Sequence, residues 1–275
     1  MNRVDPLKAG EATARGVPQD STRQRVLLIN VLVVAACALV YELLCGTLAS
    51  YLLGDAVLQF SLVLGTYLFA MGVGAWVSKS LEARAASRYV QAELALALVG
   101  GLSVPLLLAG VAAHVPLRPA LHAVVFVIGA LVGVELPLLV KILREPQGAA
   151  SSVDGQSDLR ELVPCEPHGQ SDLRELVPCE PHGQTFGELV ARAFAYDYVG
   201  ALAASLLFPL LLVPRLGLVR TSVVSGGVNA LVALSATFVV RVERPGLVRI
   251  VGIVILAVLT ATFARGEGWV AGATD

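Results

Sequence analysis

Residues 26–48, VLLINVLVVAACALVYELLCGTL, form an almost unbroken apolar run that carries a single acidic residue. A helix rises about 1.5 Å per residue, so roughly 20 such residues cross the ~30 Å hydrocarbon core of a bilayer. Six more apolar blocks of similar length follow, at 57–78, 90–113, 119–143, 193–213, 219–240 and 247–265. The pattern predicts an all-α fold, a polytopic transmembrane helix bundle of about seven spans.

The composition excludes several classes of protein. Of the 275 residues, 56% are hydrophobic and 15% are charged, and the mean hydropathy is +0.76. Soluble domains average about 25% charged residues, so a soluble enzyme or a disordered chain is excluded. A net charge of -1 offers no basic surface to nucleic acid. The expected partner is the lipid bilayer, and the chain could also form a homo-oligomer. No metal or cofactor is expected. The four cysteines are predicted to be reduced.

The basic residues predict the orientation. With the N-terminus inside, 16 Lys and Arg residues fall in inner segments and 4 in outer ones. Because Lys and Arg concentrate on the cytoplasmic side, the N-terminus is predicted to be cytoplasmic and the C-terminus to lie outside. The predicted organisation begins with a disordered cytoplasmic tail (1–24) and spans 1–4 (25–143). A cytoplasmic loop (144–190), spans 5–7 (191–266) and a short tail (267–275) follow.

The loop contains an identical tandem repeat, GQSDLRELVPCEPH at 155–168 and again at 169–182. Two copies rich in Pro, Gly and charge are too few to build a solenoid. One interpretation is a metal-binding loop that uses Cys165, His168, Cys179 and His182. The preferred one is a duplication in a loop that tolerates insertion.

Acidic residues inside the spans are the candidate binding groups. Each carboxyl costs roughly 2.5–3.5 kcal/mol to insert, so each is a functional hypothesis. Carboxylates beside tyrosine rings would suit a cationic amine through charge and cation–π contact. The candidate substrate-binding residues are Glu42, Glu135, Asp197, Tyr41, Tyr196 and Tyr198. In the alternative, the acids are hydrogen-bond partners between helices, and Arg192 neutralises Asp197.

Small residues within the spans predict close helix packing, because they let backbones approach. The residues assigned to packing are Gly72, Gly74, Gly129, Gly133 and Gly200. A weaker signal is the similarity of Tyr41-Glu42 to Tyr196-Asp197 in spans of the same direction. It would fit a parallel repeat like that of major-facilitator proteins.

Two stretches carry a resemblance to a known family. ALVYELLCGTLASYLLGDAVLQFSLVLGTYLFAMGVGAWVSK at 38–79 and ARAFAYDYVGALAASLLFPLLLVPRLGLVRT at 191–221 resemble the membrane domain of spermidine synthase-like proteins, the polyamine aminopropyltransferases with an N-terminal multi-span region. The resemblance implies a multi-pass protein of the bacterial inner membrane. It also implies a following catalytic domain, which transfers an aminopropyl group from decarboxylated S-adenosylmethionine to putrescine.

The sequence departs from that family after the last span, where only ARGEGWVAGATD remains. No strand with a Gly-rich turn, as a nucleotide-type fold requires, is present. No catalytic residue is therefore assigned, and the chain alone is expected to be inactive. The expected role is to anchor or assemble a polyamine-biosynthetic enzyme, with a separate aminopropyltransferase domain as partner. The alternative is a protein that binds or transports polyamines through its intramembrane acids.

Overall fold

The computed structural model describes residues 18–144 and 186–271, and within these ranges every regular element is helical. The all-α prediction is confirmed for this part of the chain. The repeat at 155–182 lies outside the described residues. The α-helices are α1 (Pro18–Leu53), α2 (Ala56–Ser78), α3 (Ala85–Ala112), α4 (Leu117–Arg144), α5 (Phe186–Leu207), α6 (Val213–Val239) and α7 (Pro245–Ala271). A 3-10 segment at Lys79–Arg84 joins α2 to α3, and a π-helical turn at Phe208–Leu212 joins α5 to α6.

The connection between α1 and α2 needs only two residues. Gly54 and Asp55 both have positive φ, at 71° and 46°, which ends α1 at Leu53. The Asp55 side chain then accepts a hydrogen bond from the Leu58 backbone N–H at 3.2 Å. This bond satisfies one of the amides that a helix start leaves unpaired. So short a turn makes α1 and α2 an antiparallel pair.

Glycines allow α2 and α4 to pack closely. A Cβ on Gly74 would overlap the Ala130 carbonyl oxygen, and one on Gly133 would overlap that of Met71. At Gly129 a Cβ would lie 2.7 Å from a backbone oxygen of α2. The parallel contact between α2 and α4 therefore depends on residues without side chains, which let the two backbones approach closely.

Gly200 has the same role between α5 and α1, where a Cβ would overlap the Leu32 carbonyl oxygen. Gly72 behaves differently. It lies on an exposed face of α2, and a Cβ there would meet nothing within 4 Å in the described structure. Gly72 therefore makes no close helix contact within the described chain, and the packing role predicted for it stays a prediction.

Six helical segments of the described chain are long and apolar enough to cross a membrane: Arg23–Leu53, Ala56–Leu81, Ala85–Ala112, Leu117–Leu143, Gly187–Val239 and Pro245–Arg265. The fifth has 53 residues, which would extend about 80 Å if it were straight. It breaks at Gly217, whose φ of 72° and ψ of 176° are not helical. The fifth segment therefore contains two of the apolar blocks predicted from the sequence, those at 193–213 and 219–240. The number of membrane crossings stays a prediction.

Polar contacts join the end of the bundle where α1 and α3 begin. Arg84 forms an ion pair with Glu243 at 3.4 Å, and the Glu243 backbone N–H donates to Ser87 Oγ at 2.9 Å. At the same end, Arg23 donates to the Ile142 carbonyl oxygen near the end of α4, at 3.1 Å. These contacts place the connections α2–α3 and α6–α7 side by side. Which side of a membrane they face stays a prediction.

Candidate functional site

A cavity of about 390 Å³ lies inside the bundle, and helices α1, α2, α3, α4 and α5 each contribute to its wall. This volume is within the range of small-molecule sites, roughly 300–1,000 Å³. Most of the wall is apolar, as is usual for such sites. The aliphatic and thioether side chains that line it are those of Val31, Val34, Ala35, Ala38, Leu39, Leu68, Met71, Val132, Leu136, Leu139 and Ala201.

Four carboxyl groups face this cavity, those of Glu42, Glu93, Glu135 and Asp197. Glu93 is fully buried and Glu135 is 5% exposed, so these two belong to the interior. Glu42 and Asp197 are half-buried. Among the described residues that line the cavity there is no Lys, Arg or His. The cavity is therefore lined by acids without a basic counterpart.

The two interior carboxyls differ in their protein partners. Asn229 of α6 donates from its side-chain Nδ2 to Glu93 Oε2 at 3.2 Å. Glu135 Oε1 is buried and has no hydrogen-bond partner in the described part of the chain. A buried acceptor without a donor costs about 1–3 kcal/mol, and more when the group is charged. Glu135 thus presents an acceptor that a bound donor could satisfy.

One interpretation of the sequence expects Arg192 to pair with Asp197. In the described structure Arg192 pairs with another residue. Its guanidinium contacts Glu188 at 2.7 Å, one turn earlier on α5. The (i, i+4) spacing explains the pairing, because both side chains then lie on the same helix face. Asp197 instead lines the cavity.

Aromatic rings surround the carboxyls. Tyr67 and Tyr89 are buried in the wall, with exposures of 5% and 1%. Phe194 and Tyr198 of α5 stack on each other, with ring centroids 6.3 Å apart and planes 24° apart. Both also line the cavity. Ring faces beside carboxylates are a suitable environment for an ammonium group.

The cavity opens on the side of the bundle, between α2 and α5. The most exposed side chains of its wall are Leu68 of α2, at 57%, and Tyr198 of α5, at 69%. Both lie near the middle of their helices, and α2 and α5 are not packed along each other in the described ranges. The mouth is therefore lateral and at mid-height.

Of the residues predicted to bind substrate, Glu42, Glu135, Asp197 and Tyr198 line this one cavity. Tyr41 and Tyr196 are not part of its wall. Tyr41 is fully buried, and its ring occupies the space beside Gly100, where a Cβ would lie 2.6 Å from the ring. Tyr196 is 38% exposed and points elsewhere. The structure thus brings the three predicted acids together, while their role in binding stays a prediction.

Glu93, Tyr67 and Tyr89 line the cavity but are not among the residues predicted from the sequence. Glu93 had a usable signal, because it is an acid four residues into the apolar block at 90–113. The rule that selected the other acids applies to it equally. The two tyrosines had no signal, since aromatic residues in or beside apolar blocks are ordinary and only the helix rotation turns them toward the cavity.

Comparison with known proteins identifies relatives for most of the chain. A polyamine aminopropyltransferase of Leptospira interrogans is 40% identical over 246 residues, which is 89% of this chain and 42% of the relative. Polyamine aminopropyltransferase 1 of Ralstonia nicotianae is 42% identical over 229 residues, 82% of this chain and 37% of the relative. Polyamine aminopropyltransferase 1 of Streptomyces coelicolor is 35% identical over 247 residues, 88% of this chain and 40% of the relative.

No protein-family model matches the chain, and no solved structure matches it. The matched region is less than half the length of each of these three relatives. The chain is thus similar to a partial, spermidine synthase-like region of the polyamine aminopropyltransferases.

Proposed function

We propose that the chain is the membrane-embedded region of a polyamine aminopropyltransferase-like protein, and that it anchors or assembles a polyamine-biosynthetic enzyme in the bacterial inner membrane. The observation that carries this proposal is the apolar outer surface of the bundle. Large apolar side chains that are at least 57% exposed include Val57, Leu68, Phe69, Trp76, Leu106, Leu202, Leu210, Phe238, Ile250 and Ile253. Soluble monomers rarely expose contiguous apolar patches of more than a few hundred Å².

The helical architecture supports the same proposal. In hydrocarbon every backbone N–H and C=O must be satisfied within the protein, which long helices achieve. Six apolar segments of sufficient length are present in the described chain. The aminopropyl transfer named in the relatives would be carried out by a region other than these helices.

Membrane fractionation tests the anchoring proposal. The tagged chain is expressed in a bacterium, and the membranes are washed with alkaline carbonate and then dissolved in mild detergent. Because buried apolar helices resist carbonate, we expect the chain in the carbonate pellet and then in the detergent extract. The same tag on a soluble protein serves as the control and should stay in the supernatant. Release of the chain by carbonate would contradict the proposal.

A second candidate function is the binding of an amine cation in the cavity. The supporting observation is the set of four carboxyls in a wall whose described residues include no basic side chain. Two of them, Glu93 and Glu135, each have a buried oxygen, Oε1, without a donor in the described part of the chain. An ammonium group carries three donors and no acceptor, which complements this environment.

Glu135→Gln tests this candidate, because the amide retains the shape and removes the charge. We expect spermidine binding by the purified protein, measured by calorimetry, to weaken by about tenfold or more in this variant. Glu188→Gln is the matched control, since Glu188 is outside the cavity and pairs with Arg192 on the surface. Equal spermidine affinities for the wild type and Glu135→Gln would exclude Glu135 from the site.

A further inference from the structure

Basic side chains are concentrated at one end of the bundle, where two connections lie side by side. The segments 79–88 and 240–249 together contain six Lys and Arg residues but only two acids. The ion pair between Arg84 and Glu243 joins the segments, and its two side chains are 62% and 60% exposed. An ion pair so exposed to water is weak. This end of the bundle therefore carries an excess of positive charge that its own acids do not neutralise.

Three of these cations belong to the turn between α6 and α7 or to the first turns of α7. Arg241 and Arg244 are exposed and form no ion pair among the described residues. Arg249 donates from Nε to Thr237 Oγ1 at 3.1 Å and from Nη2 to the Thr237 carbonyl oxygen at 3.4 Å. Its Nη1 has no hydrogen-bond partner in the described chain. Because a guanidinium has five N–H donors, Arg249 is fixed in position while some of its donors stay available to an anion.

Exposed apolar side chains border these cations. Phe238, at the end of α6, is 72% exposed, and the Arg249 guanidinium carbon lies 4.1 Å from its ring centroid. Leu247 and Ile250, in the first turns of α7, are 59% and 64% exposed. The Leu247 backbone N–H donates to the Arg244 carbonyl oxygen at 3.1 Å, which keeps the apolar and basic residues adjacent. The surface therefore matches a ligand that has an anionic head and hydrocarbon tails.

This combination favours one class of anionic partner over two others. A soluble phosphate compound would contact the cations and leave the apolar side chains exposed to water. A nucleic acid has phosphates but no hydrocarbon chain. An anionic phospholipid has both parts, and its leaflet attracts basic segments at the membrane surface. The same end is the one that the basic residues predict to be cytoplasmic.

We propose that the surface formed by the α6–α7 turn and the start of α7 binds an anionic phospholipid of the bilayer. The headgroup phosphate lies among the guanidinium groups of Arg241, Arg244 and Arg249. The acyl chains lie along the exposed side chains of Leu247 and Ile250. The proposal rests on the proposed membrane-embedded role and adds to it a class of lipid and a place where that lipid binds.

The test compares molecules that share one part of such a lipid. The whole chain, in a nonionic detergent, is titrated with phosphatidylglycerol, with phosphatidylcholine of the same acyl chains and with glycerol 3-phosphate. Its melting temperature is followed, because a ligand that binds the folded protein raises this temperature. We expect an apparent affinity for phosphatidylglycerol at least about tenfold above the affinities for the other two. The preference should shrink in about 0.5 M NaCl, since exposed charges are screened by salt.

Two double variants of equal net charge locate the binding surface. Arg241→Gln with Arg244→Gln should weaken the apparent affinity for phosphatidylglycerol by about tenfold or more. The matched control is Arg118→Gln with Arg215→Gln, which removes two exposed cations at the starts of α4 and α6, at the opposite end of the bundle. We expect the control to keep the wild-type affinity. All four side chains are exposed, so both variants should fold.

Three results would overturn the proposal. Equal affinities for the two phospholipids would show that the surface does not select an anionic head. Equal losses of affinity in the two double variants would show that lipid binding depends on the charge of the whole chain. Binding of glycerol 3-phosphate as tight as that of phosphatidylglycerol would indicate a soluble anion instead. Carbonate extraction tests the membrane anchor separately, so a failure of lipid selection is distinguishable from a failure of membrane insertion.

Discussion

At the scale of single residues, the glycines of α2 and α4 differ in what a methyl group would meet. Gly133 faces the Met71 backbone across the helix contact, while Gly72 faces open space. Backbone atoms cannot move aside as the end of a flexible side chain can, so the helices would have to separate. The same substitution should therefore have opposite effects at the two positions.

We expect Gly133→Ala to destabilise the protein by about 1–3 kcal/mol through overpacking. Gly72→Ala should be neutral or stabilising by up to about 1 kcal/mol, because alanine has the higher helix propensity and meets no neighbour there. Thermal unfolding of both variants in one detergent measures the difference. A Gly133→Ala protein as stable as Gly72→Ala would show that α2 and α4 are not in this close contact.

At the scale of elements, the path from α5 to α6 reverses at Gly217. Its φ of 72° and ψ of 176° lie in a region that residues with a Cβ rarely adopt. The reversal lets α6 run back antiparallel to α3, where Gly226 contacts the Ala97 backbone and Asn229 reaches Glu93. One glycine conformation thus supports the position of a cavity carboxyl.

Gly217→Ala should cost about 1–3 kcal/mol, the usual strain of such a conformation. Gly227→Ala is the matched control, because it lies within helical α6 and a Cβ there would meet nothing within 4 Å. We expect a lowered melting temperature only for Gly217→Ala, measured by thermal unfolding in detergent. Equal melting temperatures for the two variants would contradict the reversal.

The helices could be predicted from the sequence, but the site only in part. The length of each apolar block predicts a long helix, and Gly54-Asp55 predicts the end of α1. Both predictions succeed because they depend only on neighbouring residues in the sequence. Which acids share a cavity depends instead on the rotation of each helix and on contacts between distant residues, such as Glu93 and Asn229, 136 positions apart. Tyr41 and Tyr196 could not be placed from the sequence for the same reason. Each is next to an acid in the sequence, but this does not determine which face of its helix the side chain occupies, and neither lines the cavity.

At the scale of the whole molecule, the basic residues are distributed unequally between the two ends of the bundle. Lys79 is at the end where the Arg84–Glu243 ion pair joins two connections, while Arg118 is at the start of α4, at the opposite end. The positive-inside rule then predicts that the Lys79 end faces the cytoplasm. Both side chains are exposed and suitable for labelling.

Cysteine labelling in spheroplasts tests this orientation. In a variant with all four native cysteines replaced, Lys79→Cys should react with a membrane-impermeant maleimide only after permeabilisation, because its end is predicted to be cytoplasmic. Arg118→Cys should react in intact spheroplasts. The reverse result would invert the orientation, and reaction at both positions in intact spheroplasts would contradict a membrane-crossing bundle.

The lateral mouth between α2 and α5 has a consequence for the route by which a ligand arrives. In a bilayer, an opening at the level of Leu68 and Tyr198 would face acyl chains rather than either aqueous phase. Entry of a ligand into the cavity would then depend on how strongly the ligand partitions from water into the hydrocarbon. Each added methylene favours that transfer by about 0.8 kcal/mol. Amines with long alkyl tails would therefore reach the acidic wall more readily than hydrophilic amines of equal charge, so cationic amphiphiles should compete for the same space.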